Sequence, residues 1–281
     1  MRIPDALLKC VAFVSEASRD PVYVGTAFIV GVPGKWGNAY THAVTAKHVA
    51  EALEGRPFHL GLNFKDGKAG WFASDMRWWH HPTEPDTVDL AVTPFTGTKR
   101  MDVEYVPEGI FATGERIRRY NIGVGDEVNV VGLFTKFFGS TRHIPIVRTG
   151  NVAMVPTDKM PVNGGETDVY LIEGRSIGGL SGSPVFVRHT ISIDGADSKT
   201  GEVHRVSGVS QLHLLGLVHG HWDLHHGNGD IQAAEAVNMG IALVIPAQKI
   251  IEALYHPELV AIREQQDERD LKYKEAGEHA E

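Results

Sequence analysis

Cysteine is nearly absent: Cys10 is the single one in 281 residues. No intramolecular disulfide and no cysteine-rich zinc centre can be built from it. Its apolar neighbours, Val11-Ala12-Phe13-Val14, mark it as a core residue rather than a nucleophile. Basic charge is also in deficit, with 27 Lys+Arg against 35 Asp+Glu and a net charge of −8. That sign argues against a nucleic-acid partner, which needs a basic face. No apolar run approaches the roughly 18 residues of a membrane-spanning helix, so no membrane partner is expected. The first residues lack an apolar stretch followed by a small-residue cleavage site, and no N-x-[ST] sequon occurs. A secretory leader is therefore not expected, and a cytoplasmic, reducing setting is.

What the chain does have is glycine, 31 residues of it, and short apolar runs rich in Val, Ile, Phe and Thr. These fall at 22–32, 39–46, 88–95, 127–134, 168–174, 183–193 and 241–247, each bounded by turn residues. Such a pattern predicts an all-β sandwich or barrel rather than alternating strands and helices. Helical spacing is confined to short stretches at 46–55 and 246–255. The stretch 105–121 is poor in apolar runs and reads as a link between two β units. Domains are accordingly expected at 1–110 and 111–256. Residues 257–281 carry eight acids and four bases, which predicts a charged tail, either a solvated helix or disordered.

Three segments carry reactive residue types. Val44-Thr45-Ala46-Lys47-His48-Val49 runs from a strand into a helical turn with His48 at the junction. In Val88-Asp89-Leu90-Ala91-Val92 an acid is embedded in apolar residues. In Gly178-Gly179-Leu180-Ser181-Gly182-Ser183-Pro184 a serine sits in a glycine-rich loop ahead of a strand. Singly, each has an ordinary structural explanation: a structural histidine, a strand-opening acid, a plain turn. Together they supply a nucleophile (Ser181), a base (His48) and an acid to orient it (Asp89), in one order along the chain. Asp86 is the rival acid, but its polar turn predicts exposure, whereas the apolar flanks of Asp89 predict burial. Glycine beside the serine would let backbone N–H groups face a developing oxyanion.

With these residues the chain resembles the chymotrypsin-like (trypsin-like) serine peptidases, and among them the bacterial Deg/HtrA-type protease domains. The resemblance is carried by Gly25-Thr26-Ala27-Phe28-Ile29-Val30, by the His48 and Asp89 segments, by Gly125-Asp126-Glu127-Val128, and by Gly179-Leu180-Ser181-Gly182-Ser183-Pro184-Val185. Gly216-Leu217-Val218 and Asn238-Met239-Gly240-Ile241-Ala242 complete it. It implies two six-stranded antiparallel β-barrels, the first carrying His48 and Asp89 and the second Ser181. It also implies an oxyanion hole from the N–H groups of Gly179 and Ser181. Leu180 stands where trypsin-type members carry the aspartate that pairs with a freed N-terminus, so activation by N-terminal cleavage is not expected. About 25 residues follow the matched region, too few for a PDZ module.

The resemblance places a specificity pocket between Arg175 and a wall of Val218, His219, Gly220 and His221, which suggests a preference for an acidic residue at P1. No cofactor and no metal are expected. His219, His221, Asp223 and His225 would share one strand face and are ligand types, but a polar hairpin closing at 227–230 accounts for them. The expected activity is hydrolysis of peptide bonds in a protein or peptide substrate, restrained by some control such as a regulatory protein partner. A catalytically silent binding module of the same fold and an esterase using the same residues are the alternatives. The segments 136–148 and 194–201, rich in glycine and polar residues, are expected to be the mobile ones.

Overall fold

The computed structural model describes residues 3–18, 21–162, 164–174, 179–188, 193–196, 203–205, 211–221 and 240–278; of these, 193–196, 203–205, 221 and 273–278 are described by backbone alone. After helix α1 (Asp5–Lys9), the first half lays down strands β1 (Val11–Glu16), β2 (Tyr23–Pro33) and β3 (Ala39–Thr45). Helix α2 (Lys47–Glu51) and strands β4 (Phe58–Asn63), β5 (Ala69–Ser74), β6 (Trp79–His80), β7 (Ala91–Pro94) and β8 (Val106–Pro107) follow. The second half opens with α3 (Gly114–Tyr120) and β9 (Glu127–Gly132), then β10 (Ile146–Met154), β11 (Met160–Val162), β12 (Gly165–Thr167), β13 (Tyr170–Glu173) and β14 (Pro184–Arg188). It ends with β15 (Ile193–Ala196), β16 (Val203–Arg205), β17 (Leu212–His221), β18 (Ile241–Pro246), α4 (Ala247–Leu254) and α5 (Pro257–Glu278).

The second half forms the expected closed six-stranded barrel, in the order β10-β13-β18-β17-β14-β9. The first half differs from expectation. Its strands form one eight-stranded sheet, β5-β4-β1-β2-β3-β7-β6 with β8 alongside β2, and no pairing between β5 and β6 closes it. The reason is local: β6 has two residues, and 75–78 leave β5 without joining a ladder. A two-residue edge offers too few backbone groups to complete a ring of hydrogen bonds. No helix among the described residues is long and apolar enough to cross a membrane.

The two halves share a core. Phe13, Phe28, Leu60, Leu90 and Val92 of the sheet pack in one cluster with Leu133, Phe186, Leu214 and Leu217 of the barrel and with Ile250 and Leu254 of α4. A second cluster, including Val128, Ile172, Val185, Leu215 and Val218, fills the barrel itself. The segment 136–148, expected to move, is tied to the sheet. Its His143 is buried, exchanges two 2.8 Å hydrogen bonds with Asn63, and packs edge-on against Phe13 and Tyr23. Of segment 194–201, only the strand residues 194–196 are described.

The charged tail is a helix, and it is docked. Leu259, Arg263 and Asp267, four residues apart on one helical face, are all buried. Arg263 Nη1 donates to Leu254 O at 2.8 Å and contacts His42 Nε2 at 3.4 Å, while Tyr40 donates to Asp267. His42 Nδ1 donates to Tyr40 O at 3.2 Å, which leaves Nε2 as the acceptor facing the guanidinium. Burial, and then the positive charge of Arg263, hold the His42 imidazole down at about 4. The folded state therefore keeps His42 neutral at pH values where the unfolded chain, near 6.5, takes up a proton. This contribution to stability is complete above about pH 6.5, falls as pH drops, and is gone below about 4. It is at most on the order of 3 kcal/mol. Thermal melting between pH 8 and pH 4.5 should show a steeper acid-side loss for the wild type than for His42→Gln; parallel curves would refute the assignment.

Candidate active site

Helix α2 begins directly after β3, with Ala46 as an N-cap whose side chain caps nothing. Its first N–H groups therefore need acceptors from elsewhere. Asp89 supplies one: Oδ1 accepts the His48 backbone N–H at 2.9 Å, and Oδ2 lies 2.8 Å from His48 Nδ1. One carboxylate thus fixes both the main chain and the ring of the same residue. An ionised carboxylate can only accept, so Nδ1 carries the proton and Nε2 keeps its lone pair. Asp89 itself is held between fully buried Val88 and Leu90 at the entry to β7, and Lys47 Nζ donates to Pro85 O nearby at 2.7 Å. Asp86 is exposed. The hydrogen bond from His48 to Asp89 is the main influence raising the His48 pKa, against the opposing effect of burial. Burial alone would raise the Asp89 carboxyl, but the two imidazoles beside it, His219 and His48, outweigh that and hold it well below the usual carboxylate range.

The second of those imidazoles was not foreseen at this position. His219 Nδ1 lies 2.5 Å from Asp89 Oδ2, and the His48 and His219 rings stand 6.0 Å apart, nearly perpendicular. Residue 219 interrupts the β17–β18 register, which passes from Val218↔Val244 to Gly220↔Leu243. The extra residue of a bulge is left out of the ladder and its side chain is re-aimed. His219 was expected on a pocket wall; here it is turned to Asp89. Val218 belongs to the barrel core and Gly220 is half-buried. Arg175 lies outside the described residues, and His221 is described by backbone alone. The suggested acidic P1 preference thereby loses the part of its basis that rested on His219. Of the four candidate metal-ligand residues on one strand face, Asp223 and His225 also lie outside the described residues.

The Ser181 loop is seated against the first half. Thr26 N–H donates to Ser181 O at 2.9 Å, and Thr26 Oγ1 donates to Gly179 O at 2.7 Å and accepts from Leu133 N–H at 3.0 Å. Thr45, three residues before His48, donates its hydroxyl to Thr26 O at 2.7 Å. From the barrel side, Gly182 N–H donates to Val218 O and Val218 N–H to Ser183 O, at 2.8 and 2.9 Å. Gly182 has φ +81°, and a Cβ there would lie 2.1 Å from Thr26 O and 2.4 Å from Thr45 Oγ1. Only glycine allows this approach. Gly179 is likewise left-handed, at φ +97°.

A third structure braces the Asp89 segment. His81, fully buried at its side chain, accepts the Glu84 N–H on Nδ1 at 3.0 Å and faces Glu252 of α4 through Nε2 at 2.7 Å. Lys249 bonds Glu84 and Glu252, and Lys159 approaches Glu84 at 3.6 Å. Val88 N–H then donates to Glu84 O at 3.0 Å, which joins this clasp to the residue before Asp89. The sequence carries no local sign of this clasp, because Glu252 lies 171 residues from His81.

Thr26→Val keeps the shape of the junction and removes its hydroxyl, stranding the Gly179 carbonyl and the Leu133 N–H. Each buried group left unpaired costs roughly 1–3 kcal/mol. A total loss of about 2–4 kcal/mol on chemical denaturation is expected; a loss below about 0.5 kcal/mol, the size of an ordinary surface change, would show that the hydroxyl is not the fastening.

No protein-family model matches the chain, and no curated protein matches it either. Among solved structures it is similar to the MamO protease domain from Magnetospirillum magneticum in its apo form, with TM-score 0.52 and 16% identity over 88% of this chain and 96% of that one. It is also similar to Deg5, with TM-score 0.51 and 15% identity over 88% of each chain. The chain thus has the chymotrypsin-like fold of the Deg/HtrA-type protease domains.

Proposed function

We propose that the protein is a serine endopeptidase. Ser181 Oγ adds to the carbonyl carbon of a peptide bond and its proton passes to His48 Nε2. The N–H groups of Gly179 and Ser181 stabilise the resulting oxyanion. Collapse expels the amine, which takes the proton from Nε2 and leaves an ester between substrate and Ser181. Water then attacks that ester as His48 accepts its proton; the bond to Ser181 breaks, His48 returns the proton to Ser181 Oγ, and the carboxylic acid product leaves. Asp89 orients the imidazole and stabilises its charged form.

The observation that carries this reading is the double hold of Asp89 on His48. It fixes the tautomer a general base needs, with Nδ1 as donor and Nε2 free to accept. The same histidine follows β3, whose Thr45 hydroxyl donates to the Thr26 carbonyl of β2, the strand to which the Ser181 loop is fastened. The fold shared with protease domains supports the same conclusion. Cys10 is no competing nucleophile: burial pushes its thiol up to about 12, where almost no thiolate forms at neutral pH. A lone buried thiol also suits a reducing, cytoplasmic setting.

A fluorophosphonate probe, read by intact mass, tests the proposal. One adduct on the wild type and none on Ser181→Ala is expected. His48→Ala and Asp89→Asn should lower peptide turnover by roughly 10⁴-fold. Turnover of small esters without peptides would favour an esterase, and equal labelling of wild type and Ser181→Ala would overturn both readings. A folded wild type that takes no label would favour the silent binding module.

A further inference from the structure

His48, Asp89 and His219 can each offer one ligand atom, and these atoms lie within 4.8 Å of one another. We propose that the three residues form a binding site for one divalent transition-metal ion of the zinc class, and that the bound ion switches the Ser181 chemistry off. The second half of this statement rests on the peptidase reading; the first does not.

Two imidazoles and a carboxylate are a ligand set zinc accepts, at bond lengths near 2.0–2.2 Å. Ligand atoms around a tetrahedral ion with such bonds stand about 3.3 Å apart. The two Nδ1–Oδ2 separations, 2.8 and 2.5 Å, need only open by a fraction of an ångström. Both separations converge on the same oxygen, Oδ2. The approach of His219 is the telling one. Its Nδ1 is buried and lies 2.5 Å from the carboxylate oxygen, nearer than an N–H···O hydrogen bond ordinarily brings the two atoms. A divalent cation placed between this nitrogen and the carboxylate oxygen would use a lone pair of each at once. The His48 and His219 side chains are about half and one-third exposed, so the three residues lie at the surface rather than in the core.

The other cluster of ligand types provides the contrast. His81, Glu84 and Glu252 also lie close together, but Lys249 and Lys159 already neutralise the carboxylates and each His81 nitrogen already has a partner. Among the described residues, no lysine or arginine is paired with Asp89.

Inhibition follows from proton accounting. When His48 Nδ1 binds the ion, the neutral ring must carry its proton on Nε2 instead. The lone pair that would accept the Ser181 proton is then gone, and the Asp89 bond that orients the ring is replaced by a bond to metal.

Titration of the full chain with Zn²⁺, read by calorimetry, should show one site. His219→Ala should weaken binding by about 100-fold or more, since loss of even an outer-shell partner costs 10–100-fold. His256→Gln, a histidine on the α4–α5 turn, should leave binding unchanged. No binding by the wild type up to roughly 100 μM, or equal binding by His219→Ala, would overturn the site. Should His219→Ala lose its melting transition, diethylpyrocarbonate modification of the wild type decides: Zn²⁺ should protect His48 and His219 selectively, and uniform modification would overturn the site. In the functional arm, Zn²⁺ should slow fluorophosphonate labelling at least tenfold, with full recovery on chelation. Unslowed labelling of metal-loaded protein overturns the switch. Zinc bound without any labelling of the metal-free protein leaves the metal site standing and removes the peptidase reading.

Discussion

Everything at the site turns on where one carboxylate is put. Asp89 lies between two fully buried aliphatic residues, where an ionised group is costly unless its lone pairs are used. They are used: Oδ1 takes an orphan N–H at the start of α2, and Oδ2 meets two imidazoles. The same bonds that make the buried charge tolerable also orient the His48 ring. Stability and chemistry are therefore served by one set of contacts, and the clasp of His81, Glu84, Lys249 and Glu252 holds the segment that delivers it.

Much of this was legible in the residues. His48 at a strand-to-helix junction, Asp89 among aliphatics and Ser181 in a glycine-rich loop were readable because each local pattern is contiguous in sequence. The contact of His219 was not, because a bulge changes which way a strand side chain points and period-two reasoning assumes none. The unclosed first sheet escaped for a similar reason. Strand-like runs are visible, but whether a two-residue edge such as β6 can close a ring depends on pairing, not on composition. The docked face of α5 was hidden by its chemistry: Arg263 and Asp267 count as surface residues in any hydropathy pattern, yet they are buried against His42 and Tyr40.

The junction between the halves is polar as well as apolar. Thr26 uses its N–H, its carbonyl and its hydroxyl there, binding the Ser181 loop, the end of β3 and the strand exit at Leu133. Strand β17 holds the opposite side through Val218, and one residue later delivers His219 to Asp89. The loop is thus framed by main-chain geometry on both sides, and the identity of Leu180, which departs from the trypsin-type pattern, is free to serve packing, where it is almost fully buried.

The docking of α5 onto β3 has a consequence for how the chain is made. His42 and Arg263 are 221 residues apart in sequence. While the protein is being synthesised, the strand leading into His48 is made long before the residues of α5 that pack against His42 and Tyr40. A nascent chain therefore carries His48, Asp89 and Ser181 before β3 has its final packing. The strand that ends beside His48 is thus finished by a helix from far along the sequence, and a chain lacking α5 would leave His42 and Tyr40 without these partners.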